Sequence, residues 1–227
     1  MTKRVDFDKY TDNYNELLGE KTQFFSSNDE YFARYKIDLV RKAVKTPVKR
    51  VLEFGCGIGR NIPFLQQAFD QATVVGSDIS RASLDVAERE NPGVEFICEE
   101  DATTPMGKFD LIFVAGVFHH IPVDQRISAA STLRDRLTQA GDIFVFEHNP
   151  YNPVTRRIVD TCPYDEDAVL LNPAELKNTL RAANLLVSRS EYCLFVPPRF
   201  SMLAGLETKL GWLPLGGQYW VRARHNT

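Results

Sequence analysis

The residue types best suited to chemistry stand close together in the stretch E-F-G-C-G-I-G, from Glu53 to Gly59. Three glycines spaced two apart follow a short apolar run, and an amphipathic pattern comes after them. Glycine tolerates positive φ and leaves the backbone uncovered, so the spacing predicts a sharp turn from a strand into a helix. The free N–H groups and the dipole at the start of a helix favour a nucleotide-like ligand over such a turn.

The composition of this turn narrows the class of ligand. A dinucleotide or P-loop site usually reads GxGxxG or GxxxxGKS/T, whereas this turn has neither the lysine nor the longer glycine spacing. It resembles motif I of the Rossmann-like S-adenosylmethionine-dependent methyltransferases, in which an acid and any residue precede GxGxG. The alternative is a generic βα turn of another nucleotide-binding protein. The resemblance implies S-adenosylmethionine as cofactor, held by Glu53, Gly55, Cys56, Gly57 and Gly59.

Two further acids follow at the ends of apolar runs. The separation in sequence between Glu53 and Asp78 is near that at which an acid meets ribose hydroxyls in dinucleotide folds. A carboxylate can accept a hydrogen bond from each of the two hydroxyls of a vicinal diol. A helix-capping role beside Ser80 is the alternative, and both roles are compatible. The resemblance implies that Ile79 lies under the adenine ring. It also implies that Asp101 accepts a hydrogen bond from the adenine amino group and that the backbone N–H of Ala102 donates to a ring nitrogen.

The segment from Phe109 to Pro122 is the second informative stretch. Its first seven residues, ending at Ala115, form an apolar run typical of a strand buried on both faces. Ligands of doubly wound sheets bind outside the carboxyl ends of the strands, which places Ala115 and the sequence FHHIP beside the cofactor. FHHIP resembles the fourth-strand motif of small-molecule methyltransferases related to the quinone and type 11 groups. It differs from the NPPY or DPPY of enzymes that methylate base or amide nitrogens.

Three side chains are candidate catalytic bases for a hydroxyl acceptor. His119, favoured over its neighbour His120, titrates near neutral pH and is also a candidate substrate contact. Because consecutive residues usually point apart, at most one of the two histidines is expected to face the acceptor, and the alternative for either is to hold the loop by a hydrogen bond to the backbone. Glu147 and His148 follow the predicted fifth strand, on the same side of the sheet. The resemblance implies an in-line displacement at the sulfonium methyl, in which positioning supplies much of the rate. We expect no metal, because the four cysteines have no metal-ligand spacing.

The elements that must position these residues alternate between strands and helices. They predict an α/β fold: a three-layer αβα sandwich with a seven-stranded, mostly parallel, doubly wound sheet and an antiparallel last strand. One helix is expected from Gln125 to Leu137, ended by Gln139-Ala140-Gly141, and another from Pro173, capped by Asn172.

Residues 1–47 are expected to form an N-terminal helical cap and 48–227 the cofactor-binding domain. The motif FDKYTDNY resembles the start of many small-molecule methyltransferases, which makes Tyr10 and Tyr14 candidate substrate residues that close the site; a packing face is the alternative.

Two segments of the larger domain look like additions to it. Residues 150–171 are interpreted as a cleft insertion, in which Arg156 and Arg157 are candidates for an anionic acceptor or for a solvated helix face. The apolar and basic segment 199–215 is interpreted as a cover of the cleft or a dimer contact. The alternative is an interfacial helix that approaches a lipid-linked acceptor.

Composition excludes several classes of function. The chain has 227 residues and a net charge of −3, without the basic surface of a nucleic-acid-binding protein. It has no apolar run long enough for a membrane span and no secretory signal, so we expect a cytoplasmic protein with at most peripheral membrane contact. We expect a monomer or a homodimer. We expect a small-molecule acceptor, with a glycan, a lipid-linked molecule or a quinone as examples. The alternatives are a non-catalytic module that binds S-adenosylmethionine or S-adenosylhomocysteine, and a nucleotide-dependent oxidoreductase.

Overall fold

The computed structural model describes residues 29–101, 106–196, 207 and 209–226. Seven strands in this part of the chain form one sheet: β1 (Arg50–Phe54), β2 (Thr73–Asp78), β3 (Glu95–Cys98), β4 (Phe109–Ala115), β5 (Leu137–His148), β6 (Leu185–Cys193) and β7 (Gln218–His225). Their order across the sheet is β3-β2-β1-β4-β5-β7-β6. Only β7 runs antiparallel to its neighbours, β5 and β6. The predicted sheet, with its antiparallel last strand, is confirmed.

Six α-helices in the described residues cover the sheet: α1 (Asp29–Ala43), α2 (Ile62–Ala68), α3 (Arg81–Glu90), α4 (Arg126–Arg136), α5 (Pro153–Thr161) and α6 (Pro173–Ala182). The central strand β4 contributes to both cores. Leu111 and Phe113 pack in the cluster that contains residues of α1 and α2. Ile112 and Val114 pack in the cluster that contains residues of α4 and α6. Because alternate side chains of a strand face opposite ways, both faces of β4 are apolar from Leu111 to Ala115, and the sheet forms the middle layer of three.

The helix predicted from Gln125 to Leu137 is present as α4, but the predicted role of Gln139-Ala140-Gly141 in ending it is wrong. The helix ends at Arg136, and β5 starts at the next residue and includes Gly141. The register between β4 and β5 shifts at this point, since Phe109 pairs with Leu137 and Leu111 with Asp142. A Cβ on Gly141 would lie 2.7 Å from Cδ1 of Leu137 and 3.0 Å from the carbonyl oxygen of Phe109. The glycine therefore permits an irregularity in the ladder and does not cap a helix.

Asn172 caps α6 as expected. Its side chain accepts from the amides of Ala174 and Glu175, and the Glu175 carboxylate accepts from the amide of Asn172, which makes a reciprocal capping box. The segment 150–171 contains α5 and a 3₁₀ turn, Pro163–Asp165.

The other flanking segments are described only in part. Tyr10, Tyr14 and residues 199–206 lie outside the described residues. Of the segment 199–215, residues 209–215 form turns that include Trp212, whose side chain is 76% exposed. None of the helices in the described ranges has the length and apolarity to cross a membrane.

Candidate active site

The glycine turn lies where β1 ends, between β2 and β4 in the sheet. Gly55 has a φ of 72°, and a Cβ at this position would lie 2.4 Å from Cγ2 of Val117, in the turn after β4. Gly57 has a φ of 52°, but a Cβ there would meet no atom of the described residues within 4 Å. The two glycines therefore serve different purposes. Gly55 permits close packing of two turns, whereas Gly57 leaves open space over the backbone.

Glu53 is buried at the end of β1, beside this open backbone. Its side chain is 1% exposed, and Oε1 accepts a hydrogen bond of 2.6 Å from Nδ2 of Asn61. Oε2 has no hydrogen-bond partner in the described part of the chain. Burial raises the pKa of Glu53 to about 8, against the opposing effects of Asn61 and the positive charge of Lys36. A buried carboxylate oxygen without a partner is costly, and a cationic or donor group of a ligand would compensate it.

Asp78 connects the end of β2 to the glycine turn. Its Oδ2 accepts from the amide of Gly57 at 2.7 Å, and its Oδ1 accepts from the amide of Ser80 at 2.9 Å. Ser80 is the N-cap of α3, since its hydroxyl accepts from the amide of Ser83. Burial raises the pKa of Asp78, although the hydrogen bonds that it accepts from backbone amides act in the opposite direction. Asp78 thus accompanies a helix cap, and its predicted ribose contact remains a prediction.

The predicted adenine-binding residues are described in part. Asp101 is exposed and pairs with Nη2 of Arg81 at 2.7 Å, an interaction that lowers the pKa of Asp101. Ile79 is half-buried directly after β2, and Ala102 lies outside the described residues.

The turn after β4 is fixed by a carboxylate from β5. Oε1 of Glu147 accepts from the amides of Val117 and Phe118, at 3.0 and 2.7 Å. Oε2 lies 2.6 Å from Nδ1 of His119, and both side chains are buried. Burial favours the neutral ring, but the charges and hydrogen bonds of Glu147 and Asp165 outweigh it and raise the pKa of His119 to about 9. Burial likewise opposes the ionised carboxylate, yet the charge of His119 holds the pKa of Glu147 below its ordinary value.

Further titratable groups surround His119. Its ring centroid lies 4.1 Å from that of His120 and 5.1 Å from that of His148. Burial, assisted by the charge of His119, lowers the pKa of His120 and that of His148 to about 4. Oδ1 of Asp165 lies 3.4 Å from Nε2 of His119 and 3.4 Å from Nε2 of His120. Oδ1 of Asp167 lies 3.5 Å from Nδ1 of His120.

The structure therefore brings together the three catalytic candidates His119, Glu147 and His148, and it places half-buried Ala115 at the end of β4. His120 is the alternative that the sequence offers to His119, whereas Asp165 and the partner of Glu53, Asn61, were missed. The acidic run after Cys162 offered the only signal for Asp165, and no fixed spacing joins it to the histidines.

The arginines of the predicted insertion lie on α5. Asn152 caps this helix by accepting from the amides of Val154 and Thr155. Thr155 is buried, whereas the side chains of Arg156 and Arg157 are exposed. Exposure agrees with a solvated helix face, and a contact with an anionic acceptor remains a prediction.

Comparisons with known proteins find methyltransferases among the proteins similar to this chain. Residues 51–141 match the model of a family described as a methyltransferase domain. The chain is 28% identical over 156 residues to an uncharacterized methyltransferase of Alkaliphilus oremlandii, covering 64% of this chain and 68% of that protein. It is 29% identical over 105 residues to a trans-aconitate 2-methyltransferase of Rhizobium rhizogenes, covering 46% of this chain and 40% of the relative. The chain thus spans less than half the length of that second relative.

The fold is shared with solved methyltransferase structures. The plantazolicin methyltransferase BpumL, solved in complex with S-adenosylhomocysteine, superposes with a TM-score of 0.63 at 17% sequence identity. The superposition covers 96% of this chain and 90% of that one. At this identity the likeness concerns the arrangement of strands and helices.

Proposed function

We propose that this chain, which belongs to the class I S-adenosylmethionine-dependent methyltransferases, transfers a methyl group to an oxygen, nitrogen or carbon of a small molecule. The observation that carries the proposal is the pairing of two features within the part of the chain that the structure describes: a bare turn at Gly57 and a buried Glu53 whose Oε2 has no hydrogen-bond partner. A ligand that joins an ammonium group to an adenosyl group suits both features.

The described residues fit this cofactor. The carboxylate of Glu53 would accept from its ammonium group, and the open space at Gly57 would admit it against the backbone. Each oxygen of Asp78 accepts a hydrogen bond from one backbone amide and has a further lone pair that can accept from a ribose hydroxyl. Ile79 and Asp101, with Ala102, would contact the adenine ring. When bound, S-adenosylmethionine supplies a methyl group that the positive charge on sulfur already activates.

The side chains at the carboxyl end of β5 and in the turn after β4 would orient the acceptor. Both oxygens of Glu147 are engaged by His119 and by two amides, which makes Glu147 a positioning residue. His119 and His148 are the side chains proposed to meet the acceptor, with Arg156 and Arg157 as counter-charges for an anionic one. The acceptor classes to test are a glycan, a lipid-linked molecule and a quinone. The trans-aconitate 2-methyltransferase relatives add a small organic acid.

Calorimetry tests the cofactor site directly. We expect the wild-type chain to bind S-adenosylmethionine and S-adenosylhomocysteine. We expect Glu53→Gln to weaken the binding of both at least tenfold, because the glutamine amide keeps the shape but cannot ionise to a carboxylate beside the ammonium group of the ligand. Glu95→Gln removes an exposed acid of β3 and should bind like the wild type. A wild-type chain that binds NAD, and not these two ligands, would contradict the proposal.

A transfer assay separates an enzyme from a binding module. The chain is incubated with methyl-labelled S-adenosylmethionine and an acceptor panel drawn from the four classes. We expect label in one class of acceptor and its loss with Glu53→Gln. Tight cofactor binding without label in any acceptor would favour the non-catalytic module.

A further inference from the structure

Three side chains from two separate segments direct ligand atoms at one point. His119 and His120 come from the 3₁₀ turn after β4, and Asp165 comes from the 3₁₀ turn after α5. The Nε2 atoms of both histidines lie 3.4 Å from Oδ1 of Asp165. One ligand atom from each of the three residues can be chosen so that all lie within 4.8 Å of one another.

We propose that His119, His120 and Asp165 form a binding site for a divalent transition-metal ion. Protein nitrogen and oxygen ligands lie about 2.0 to 2.2 Å from Zn²⁺. Two such ligands in tetrahedral geometry are therefore about 3.4 Å apart, by simple trigonometry on these bond lengths. The two distances from Asp165 agree with that spacing, and small side-chain adjustments would bring the two imidazoles into range.

The opposite edges of both imidazoles face carboxylates. Nδ1 of His119 lies 2.6 Å from Oε2 of Glu147, and Nδ1 of His120 lies 3.5 Å from Oδ1 of Asp167. Metal-binding histidines usually donate their second ring N–H to a carboxylate or carbonyl, which fixes the tautomer and the ring orientation. The hydrogen bonds that Glu147 accepts from two backbone amides hold its carboxylate in place beside His119.

The same tautomers explain why a cation suits the centre. A neutral imidazole that donates from Nδ1 to a carboxylate presents a lone pair at Nε2. Both histidines would then direct lone pairs at Oδ1 of Asp165, which also carries lone pairs. Such convergence is repulsive unless a cation lies between the atoms. A metal ion supplies that cation, and protons on the rings are the competing explanation that the experiment must separate.

The chemistry of the ligands indicates which ion. Imidazole ligands favour Zn²⁺, Cu²⁺, Fe²⁺ and Ni²⁺, whereas Mg²⁺ and Ca²⁺ prefer oxygen ligands. The side chains of His120 and Asp165 are 18% and 11% exposed, so an ion can reach the site from solvent. Three protein ligands also leave a coordination position for water or, if the proposed function holds, for an acceptor oxygen.

Metal titration of the full chain tests the site without relying on activity. Chelator-treated wild-type protein is titrated with Zn²⁺ by calorimetry and with Co²⁺ by visible absorption. We expect one ion per chain and a Co²⁺ spectrum typical of nitrogen and oxygen ligands. His120→Gln and Asp165→Asn should each weaken binding at least tenfold. His225→Gln, which removes a histidine of β7 outside the cluster, should bind like the wild type.

Two comparisons decide between the outcomes. Thermal unfolding of metal-free samples shows whether His120→Gln or Asp165→Asn fails to fold. If one of them does, the metal affinity of the other variant tests the proposal. Glu53→Gln should keep its metal affinity, so loss of the cofactor site and loss of the metal site are distinguishable. The proposal is overturned if the wild type binds no stoichiometric ion, or if both cluster variants bind Zn²⁺ as tightly as the wild type.

Discussion

Oε2 of Glu147 lies 2.6 Å from Nδ1 of His119, and neither side chain is accessible beyond 2%. The pair joins the end of β5 to the turn after β4, because the other oxygen of Glu147 accepts hydrogen bonds from two backbone amides of that turn. A buried charge that loses its partner has a high cost, since no water replaces the interaction.

The first prediction concerns this pair. We expect Glu147→Gln to lower the free energy of unfolding by about 3 to 5 kcal/mol, the cost typical of breaking a buried ion pair. Asp135→Asn is the matched control, because Asp135 pairs with Arg134 at the surface. Exposed pairs contribute about 0 to 1 kcal/mol, so the control should change little. Urea unfolding measures both variants, and equal losses would show that the buried pair has no special role.

The second prediction concerns the pH dependence of stability. Burial raises the pKa of Glu53 from 4.5 to about 8 in the folded chain. Between these values the unfolded chain releases the proton and the folded chain keeps it. The contribution of Glu53 to stability is therefore full below pH 4.5 and is lost as the pH rises toward 8. Because glutamine does not titrate, the stability of Glu53→Gln relative to the wild type should increase across this window, by on the order of 4 kcal/mol.

Urea unfolding at pH 5, 6, 7 and 8 measures this difference. Glu95→Gln, at an exposed position of β3, should show no such trend. A difference between Glu53→Gln and the wild type that stays constant with pH would mean that Glu53 is ionised in the folded chain. The same data show whether a loss of cofactor binding in Glu53→Gln arises from unfolding.

The third prediction separates the purposes of two glycines. Gly57→Ala should fold with a modest loss of about 1 to 2 kcal/mol, because its φ is positive but its Cβ meets open space. The same Cβ would enter the space proposed for the cofactor, so affinity for S-adenosylhomocysteine should fall at least tenfold. Gly93→Ala is the matched control, since Gly93 also has positive φ and open surroundings but follows α3.

Thermal shift and calorimetry measure both properties of these variants. Gly93→Ala should lose similar stability and keep its affinity. Equal affinity of Gly57→Ala and the wild type would place the cofactor away from this turn. Gly55→Ala should be the least stable of the three, because its Cβ would lie 2.4 Å from Val117.

Local patterns were sufficient for the fold because they report local physics. The apolar run from Phe109 to Ala115 predicts a strand buried on both faces, and the glycines after Glu53 predict a turn with positive φ. The pattern failed at Gly141, where a glycine after a helix resembles a cap. Whether a glycine ends a helix or permits a shifted strand pairing depends on the neighbouring strand, which lies elsewhere in the chain.

The sequence by itself determined the order of strands and helices, the glycine turn and the acids Glu53 and Asp78 that follow from the family resemblance. These features depend on residue type and on spacing within one βα unit. Only the tertiary structure brought Asp165 to Nε2 of His119 and His120. Only the tertiary structure showed that one oxygen of Glu53 has no partner among the residues it describes. These two features arise from the packing of segments that are distant in sequence, and no spacing rule encodes them.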